Sequence, residues 1–256
     1  MPTRSWILVP FLTALLAATL TAQTEAPAAP APNRSQAAEA QSPARSDKST
    51  ENSRIRKQEE TGTSDDRLFY TLPNFLTLET RNVPPLTAGQ KFKVVTRGSF
   101  DYIEIPWYAF LAGVSQAENS EPGYGQGAAG YGKRFGASFA DGTIENYMTG
   151  AVLPVVLHQD PRFFQLGKGG FWHRTGYAIS RLFVTRTDSG GRQFNYSEVV
   201  GSALGAGIST YSYHPGRDRN LPNTASVWGT QVGYDAIAIV VKEFWPDIRH
   251  KLQKKK

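Results

Sequence analysis

Three stretches of this chain carry small residues four positions apart: Gly132, Gly136 and Ala140; Gly201, Gly205 and Ser209; Ala225, Gly229 and Gly233. Residues at i, i+4 and i+8 share one face of a helix. An interior glycine lowers helix propensity by roughly 1 kcal/mol relative to alanine, so three such faces in one chain require a packing reason. A face without side-chain bulk lets two backbones approach closely, which is the usual contact of helices in membranes and one that soluble helices share. The pattern predicts helices held together by GxxxG-type crossings.

The first face overlaps GAAGYGKR, residues 127–134, which matches a phosphate-binding loop up to its last position. Such a loop follows a buried strand and ends on a Ser or Thr that holds magnesium. Here the polar string AENSEPGYGQ precedes it and Arg134 stands at the hydroxyl position. No nucleotide is expected.

The chain begins with Arg4, an apolar run from Trp6 to Leu20 and a short polar stretch, the three regions of a secretory signal peptide over residues 1–22. That run is shorter than the roughly 20 residues a bilayer span needs. Residues 23–66 are rich in Ala, Pro, Ser and charge, with Ile55 their one large aliphatic residue, and are expected to form a disordered linker. The remaining residues, 67–256, suffice for one domain with a sizeable core. No cysteine occurs, so disulfides, thiolate nucleophiles and Cys-ligated metals are excluded. The net charge of +6 is concentrated in the terminal RHKLQKKK, which suits anionic lipid headgroups or a solvated end. Without a basic stripe elsewhere, no nucleic acid partner is expected.

Hydrophobic spacing places helices over 101–117, 125–158, 171–184, 196–213 and 225–244. The second is expected to divide near Asp141 and Gly142 and to end around Pro154, and the fifth to break at Pro246. In the fifth, Ile237, Val240, Val241, Phe244 and Ile248 form one apolar stripe. Residues 68–98 read as extended chain, with KFKVV strand-like and TAGQKF a hairpin turn. The fold class is therefore all-α: a single compact helical domain of about five helices. The string FNYSEVVGSALGAGISTYSY also admits a strand reading, as in an outer-membrane barrel.

The densest polar cluster is LHQDPRFF, followed by FWHR and RTDSGGR. His158, Asp160, Arg162, His173, Arg174 and Asp188 would supply an acid, a base and two guanidinium groups suited to a phosphate ester or anionic headgroup if they converged. The same residues also suit a buried ion-pair network, with Asp160 capping the turn at Pro161. The four histidines, at 158, 173, 214 and 250, lack metal-ligand spacing, so neither metal nor cofactor is expected. Ser180 and Arg181 are not followed by the histidine that a membrane phosphatase motif requires.

The strings GYGKRFGASFADGTIENYM, HQDPRFF, FWHRTGYAISR, TDSGGRQFNYSE and KEFWPDI resemble a group of exported, functionally uncharacterised proteins of acidobacteria-like soil bacteria, over about residues 68–252. The resemblance implies an envelope location and assigns no active site. The reading of the whole chain is an exported cell-envelope protein, non-enzymatic, associating with membrane lipid or an envelope protein through glycine-rich helices. The alternative is a hydrolase or lipid-modifying enzyme built on the His/Asp/Arg residues.

Overall fold

The computed structural model describes residues 43–254. The expected signal peptide and about the first half of the expected linker lie outside the described residues.

The expected linker is not disordered from residue 43 onward: Pro43–Thr61 is a helix, α1. Its attachment is polar rather than apolar, which is why composition misses it. Gln58 is buried and its Oε1 accepts the Glu79 N–H at 2.9 Å. A few residues on, Asp66 Oδ2 accepts from both the Trp245 indole and Arg249, each at 2.9 Å. Trp245 is fully buried.

A short hairpin, β1 (Arg67–Leu68) with β2 (Leu72–Pro73), precedes β3 (Thr77–Leu78). Residues 88–99 then correct the extended reading, because Ala88–Ser99 is a helix, α2. Thr87 and Gln90 form a reciprocal capping box: the Gln90 side chain accepts the Thr87 N–H at 2.8 Å, and the Thr87 hydroxyl accepts the Gln90 N–H at 3.3 Å. The TAGQ string is thus a helix start rather than a hairpin turn. Lys91, Val94, Val95 and Ser99 form its buried face, so the two valines follow helical and not strand spacing.

Helix α3 (Glu104–Glu118) leads to α4 (Gly127–Tyr147), which runs unbroken through Asp141 and Gly142. The glycine-rich run is therefore helix and not a phosphate loop. Arg134 is buried and donates to the Gly125 and Glu121 carbonyls at 2.6 and 2.8 Å. A π-turn at Met148–Val152 joins α4 to α5 (Leu153–Val156). Then come β4 (Gln159–Asp160), β5 (Phe163–Phe164), α6 (Phe171–Phe183), β6 (Val184–Thr187), β7 (Arg192–Phe194), α7 (Tyr196–Ser212) and α8 (Leu221–Gln253). Strand β5 pairs in parallel with β3, and β4, β6 and β7 form an antiparallel sheet. The barrel reading of 194–213 gives way to helix. All five expected helices are present, joined by α1 and α2, so the all-α description holds broadly and the count does not.

Pro246 does not break α8. Proline leaves the carbonyl four residues back without its helical donor. That carbonyl, on Lys242, accepts instead from the Gln165 amide, and the Glu243 carbonyl accepts from Arg174 at 2.6 Å. Side chains from elsewhere in the chain thus supply the one donor that Pro246 removes and a further bond to the adjoining carbonyl.

The glycine faces need a correction. A Cβ at Gly201 would meet the Met148 carbonyl at 3.3 Å, and one at Gly205 the Glu145 Cα at 3.4 Å, so α7 does pack closely on α4 and the π-turn. Gly132, Gly136, Gly229 and Gly233 have nothing within 4 Å of such an atom. The close approaches on α4 and its continuation fall instead at Gly142, under the Tyr108 ring, and at Gly150, where a Cβ would stand 2.7 Å from Val95. The four-residue spacing recurs by sequence without recurring as contact.

Helix α7 is turned inside out relative to a helix in water. Its buried residues are Ser197, Gly201, Ser202, Gly205, Ala206, Ser209 and Thr210. Its large apolar side chains point outward, with Val200 42%, Leu204 45% and Ile208 45% exposed. In α6, Arg174, Ala178 and Leu182 are buried while Trp172, 81% exposed, and Ile179 and Phe183 face out. The apolar stripe expected to bury α8 is partly covered: Ile237 is exposed and Val240, Val241, Phe244 and Ile248 are half-buried, while the buried residues of the helix are Glu243, Trp245 and Arg249.

Candidate functional site

The tight turn between β6 and β7 closes with the Thr187 N–H on the Gly191 carbonyl at 3.0 Å and the Gly190 N–H on the Thr187 carbonyl at 2.9 Å. Gly190 takes a φ of +88°, which a side chain would disfavour. This register sets Arg186 directly opposite Arg192. Opposed residues of an antiparallel pair project from the same face, and like charges so placed are destabilising. Arg181, near the end of α6, brings a third guanidinium to the same cleft, and Arg81 a fourth.

Two of these guanidiniums are held over rings. Arg181 lies 4.9 Å from the Tyr177 centroid and Arg186 4.5 Å from that of Phe164. Asn195 ties the parts together: its amide donates to the Arg181 carbonyl at 3.0 Å and its Oδ1 caps α7 by accepting from the Glu198 N–H at 3.2 Å. Burial pushes the Arg181 guanidinium below its ordinary value against an opposing pull from Tyr177, and the like charges of Arg192 and Arg81 add smaller lowering effects. None of Arg81, Arg181, Arg186 and Arg192 forms an ion pair among the described residues. The cleft they line measures about 350 Å³.

Its other wall carries acids. Burial raises the Glu198 carboxyl well above the ordinary range, and the neighbouring Asp235 charge adds to the effect while Lys242 opposes it. Asp235 is also raised by burial, against the pull of the Lys242 charge and then of its contact with Glu198. Beside them Glu145, in α4, is pushed up to about 9 by burial and by the charges of Asp235, Glu198 and Asp141. Chemically the arrangement gathers guanidiniums that form no ion pair among the described residues beside carboxyls whose ionisation burial disfavours, which suits an anion.

The six residues singled out from sequence fall into more than one network, and two of them adjoin, the Asp188 N–H donating to the His158 carbonyl at 2.9 Å. Asp160 and Arg162 come together as a buried bidentate pair at 2.8 and 2.7 Å, with the Arg162 N–H on Asp160 Oδ1 at 3.1 Å closing the turn. Arg162 also donates to the Gly62 and Pro84 carbonyls, so its donors are occupied. This pair lines the cleft. Arg174 belongs elsewhere, bonded to Glu243 at 2.8 Å and to Asp247. Asp188 pairs with the buried Lys91 at 2.7 Å. His158 and His173 are exposed, the former with a left-handed φ of +53°.

Sequence reasoning missed Arg81, Arg181, Arg186, Arg192, Glu198 and Asp235. Two signals were present: RTDSGGR holds Arg186 and Arg192 on either side of a turn, which a hairpin places opposite each other, and Ser180–Arg181 stands just ahead of them. Comparison with known proteins finds no matching family model, no matching curated protein and no matching solved structure.

Proposed function

We propose that this chain is an exported, non-enzymatic cell-envelope protein that rests on a lipid bilayer through the outward faces of α6 and α7. The single observation that carries the reading is the inverted helix α7. Its outward residues Tyr196, Val200, Leu204, Ile208 and Tyr211 include no charge. Tyrosines at both ends of this stripe are separated by 15 residues, roughly 22 Å of helix. An apolar band edged by tyrosine suits a lipid surface, because the phenol stays at the polar boundary while the aliphatic side chains leave water. Small and polar residues inside with large apolar ones outside is the distribution helices adopt against lipid. Gly201 and Gly205 serve the internal contact with α4 and the π-turn, which leaves lipid contact to the residues opposite them.

No helix among the described residues is long and apolar enough to cross a membrane, so the proposal is contact with one leaflet. The separation of Arg174, bonded to Glu243 and Asp247, from Asp188, bonded to Lys91, supports the non-enzymatic reading over a hydrolase built on them. Flotation with phosphatidylcholine vesicles tests the reading. The full chain should float with the vesicles, and the double variant Leu204→Glu/Ile208→Glu should remain in the aqueous fraction with unchanged thermal unfolding. Equal flotation of the two proteins would remove the basis for the proposal.

A further inference from the structure

We propose that the cleft lined by Arg181, Arg186 and Arg192 binds a phosphate group carried by a phosphomonoester. The inference goes beyond lipid contact and stands on different residues.

The cleft is built for an anion that its own fold does not supply. Arg186 and Arg192 stand opposite each other across the hairpin. Such a pair of like charges lowers stability unless a counter-charge sits between them. Three buried guanidiniums elsewhere are matched by carboxylates, Arg162 by Asp160, Arg174 by Glu243 and Asp247, and Arg249 by Asp66 and Glu79, while buried Arg134 is satisfied by carbonyls. Half-buried Arg181 and Arg186 and exposed Arg81 and Arg192 form no such pair among the described residues, although the register of β4 and β6 sets Asp160 opposite Arg186. Its carboxylate is already taken by Arg162 through two oxygens.

The guanidiniums are also preorganised. The rings of Tyr177 and Phe164 lie against Arg181 and Arg186, which fixes the planes of the groups. Arg181 spends two of its nitrogens on the neighbouring Ser180 hydroxyl, at 3.1 and 3.2 Å, and its remaining terminal nitrogen forms no hydrogen bond among the described residues. A carboxylate is saturated by one guanidinium fork, whereas a phosphomonoester carries nearly two charges and three peripheral oxygens, so several forks can engage it together. The volume of about 350 Å³ admits the phosphate and a small substituent, near the lower end of small-molecule sites. The phosphate can belong to a lipid headgroup or to a soluble ester, and the chemistry of recognition is the same.

Thermal unfolding of the full chain in sodium phosphate, against sodium chloride of equal ionic strength, reads the site directly. Phosphate should raise the melting temperature, and Arg181→Gln and Arg192→Gln should each weaken the apparent affinity by about tenfold, the loss of one charge-assisted contact. Neither variant removes an ion pair among the described residues, and two of them guard against a folding defect in one. Pelleting with phosphatidylcholine vesicles doped with phosphatidate or with phosphatidylserine separates the sources. Preference for phosphatidate that Arg181→Gln abolishes identifies a headgroup ligand, while a phosphate response without that preference identifies a soluble ester. Residual binding of Arg181→Gln to plain phosphatidylcholine reports the α7 face and not this cleft. No stabilisation by phosphate beyond chloride, or stabilisation unchanged in both variants, would overturn the proposal.

Discussion

Lys91 in α2 reaches across 97 positions of sequence to Asp188, its ammonium lying 2.7 and 2.8 Å from the two carboxylate oxygens and also donating to the Pro154 and Gln159 carbonyls. The two partners are unequally enclosed, with the lysine side chain 2% exposed and the aspartate 26%. Removing one partner of a buried pair is damaging because the other charge stays buried. Asp188→Asn should therefore lower unfolding stability by about 3–5 kcal/mol, and Lys91→Met by less, since Asp188 can recover water. Urea titration of both variants and of the double variant checks this, and the double variant should lose less than the sum of the two.

The glycines divide into two classes with opposite signs. Gly132→Ala and Gly136→Ala add a methyl to open space on a helix and should each raise stability by roughly 0.5–1 kcal/mol. Gly142→Ala collides with the Tyr108 ring and Gly150→Ala with Val95 Cγ2 at 2.7 Å. Each should lower stability by about 1–3 kcal/mol, the range of overpacked sites. Chemical denaturation of the four single variants separates the classes.

Two buried groups tie stability to pH in the same direction. Glu145 is raised from 4.5 to about 9, so its folded value lies above its unfolded one. Its contribution is full below pH 4.5 and lost as pH rises toward 9. Glu145→Gln should flatten this slope and gain about 1–3 kcal/mol at alkaline pH, read from unfolding midpoints across a pH series. His214, lodged between Glu121 and Asp141 at 3.1 and 3.2 Å, is opposed by burial, yet these two carboxylates raise it from 6.5 to about 10. Its contribution is present below pH 6.5 and lost as pH climbs through about 10, a window His214→Gln should erase.

Helices α6 and α7 are legible because their turns and apolar spacing agree. Helix α2 is harder to see, since Val94 and Val95 read as strand until the capping box at Thr87 and Gln90 is given its weight. Helix α1 is hidden because Gln58 and Asp66 attach its neighbourhood through hydrogen bonds, which leave no hydrophobic pattern. Pro246 misleads for a similar reason: the donors that satisfy Lys242 and Glu243 come from Gln165 and Arg174, some 70 to 80 positions away. The apolar stripes of α7 and α8 are visible in sequence, but which way they face is not, because periodicity finds a face without saying what covers it. The arginine cleft gathers residues from position 81 to 242, and only the 186–192 turn is local.

The outward face of α7 is the centre of this account, and the absence of native cysteine makes it directly addressable. Leu204→Cys and, as a reference, Gly132→Cys carry a polarity-sensitive fluorophore on the full chain, mixed with vesicles whose acyl chains bear a nitroxide quencher. The label at Leu204 should shift to the blue and be quenched while the label at Gly132 stays in water. Equal, aqueous emission and no quenching at both positions would contradict the account.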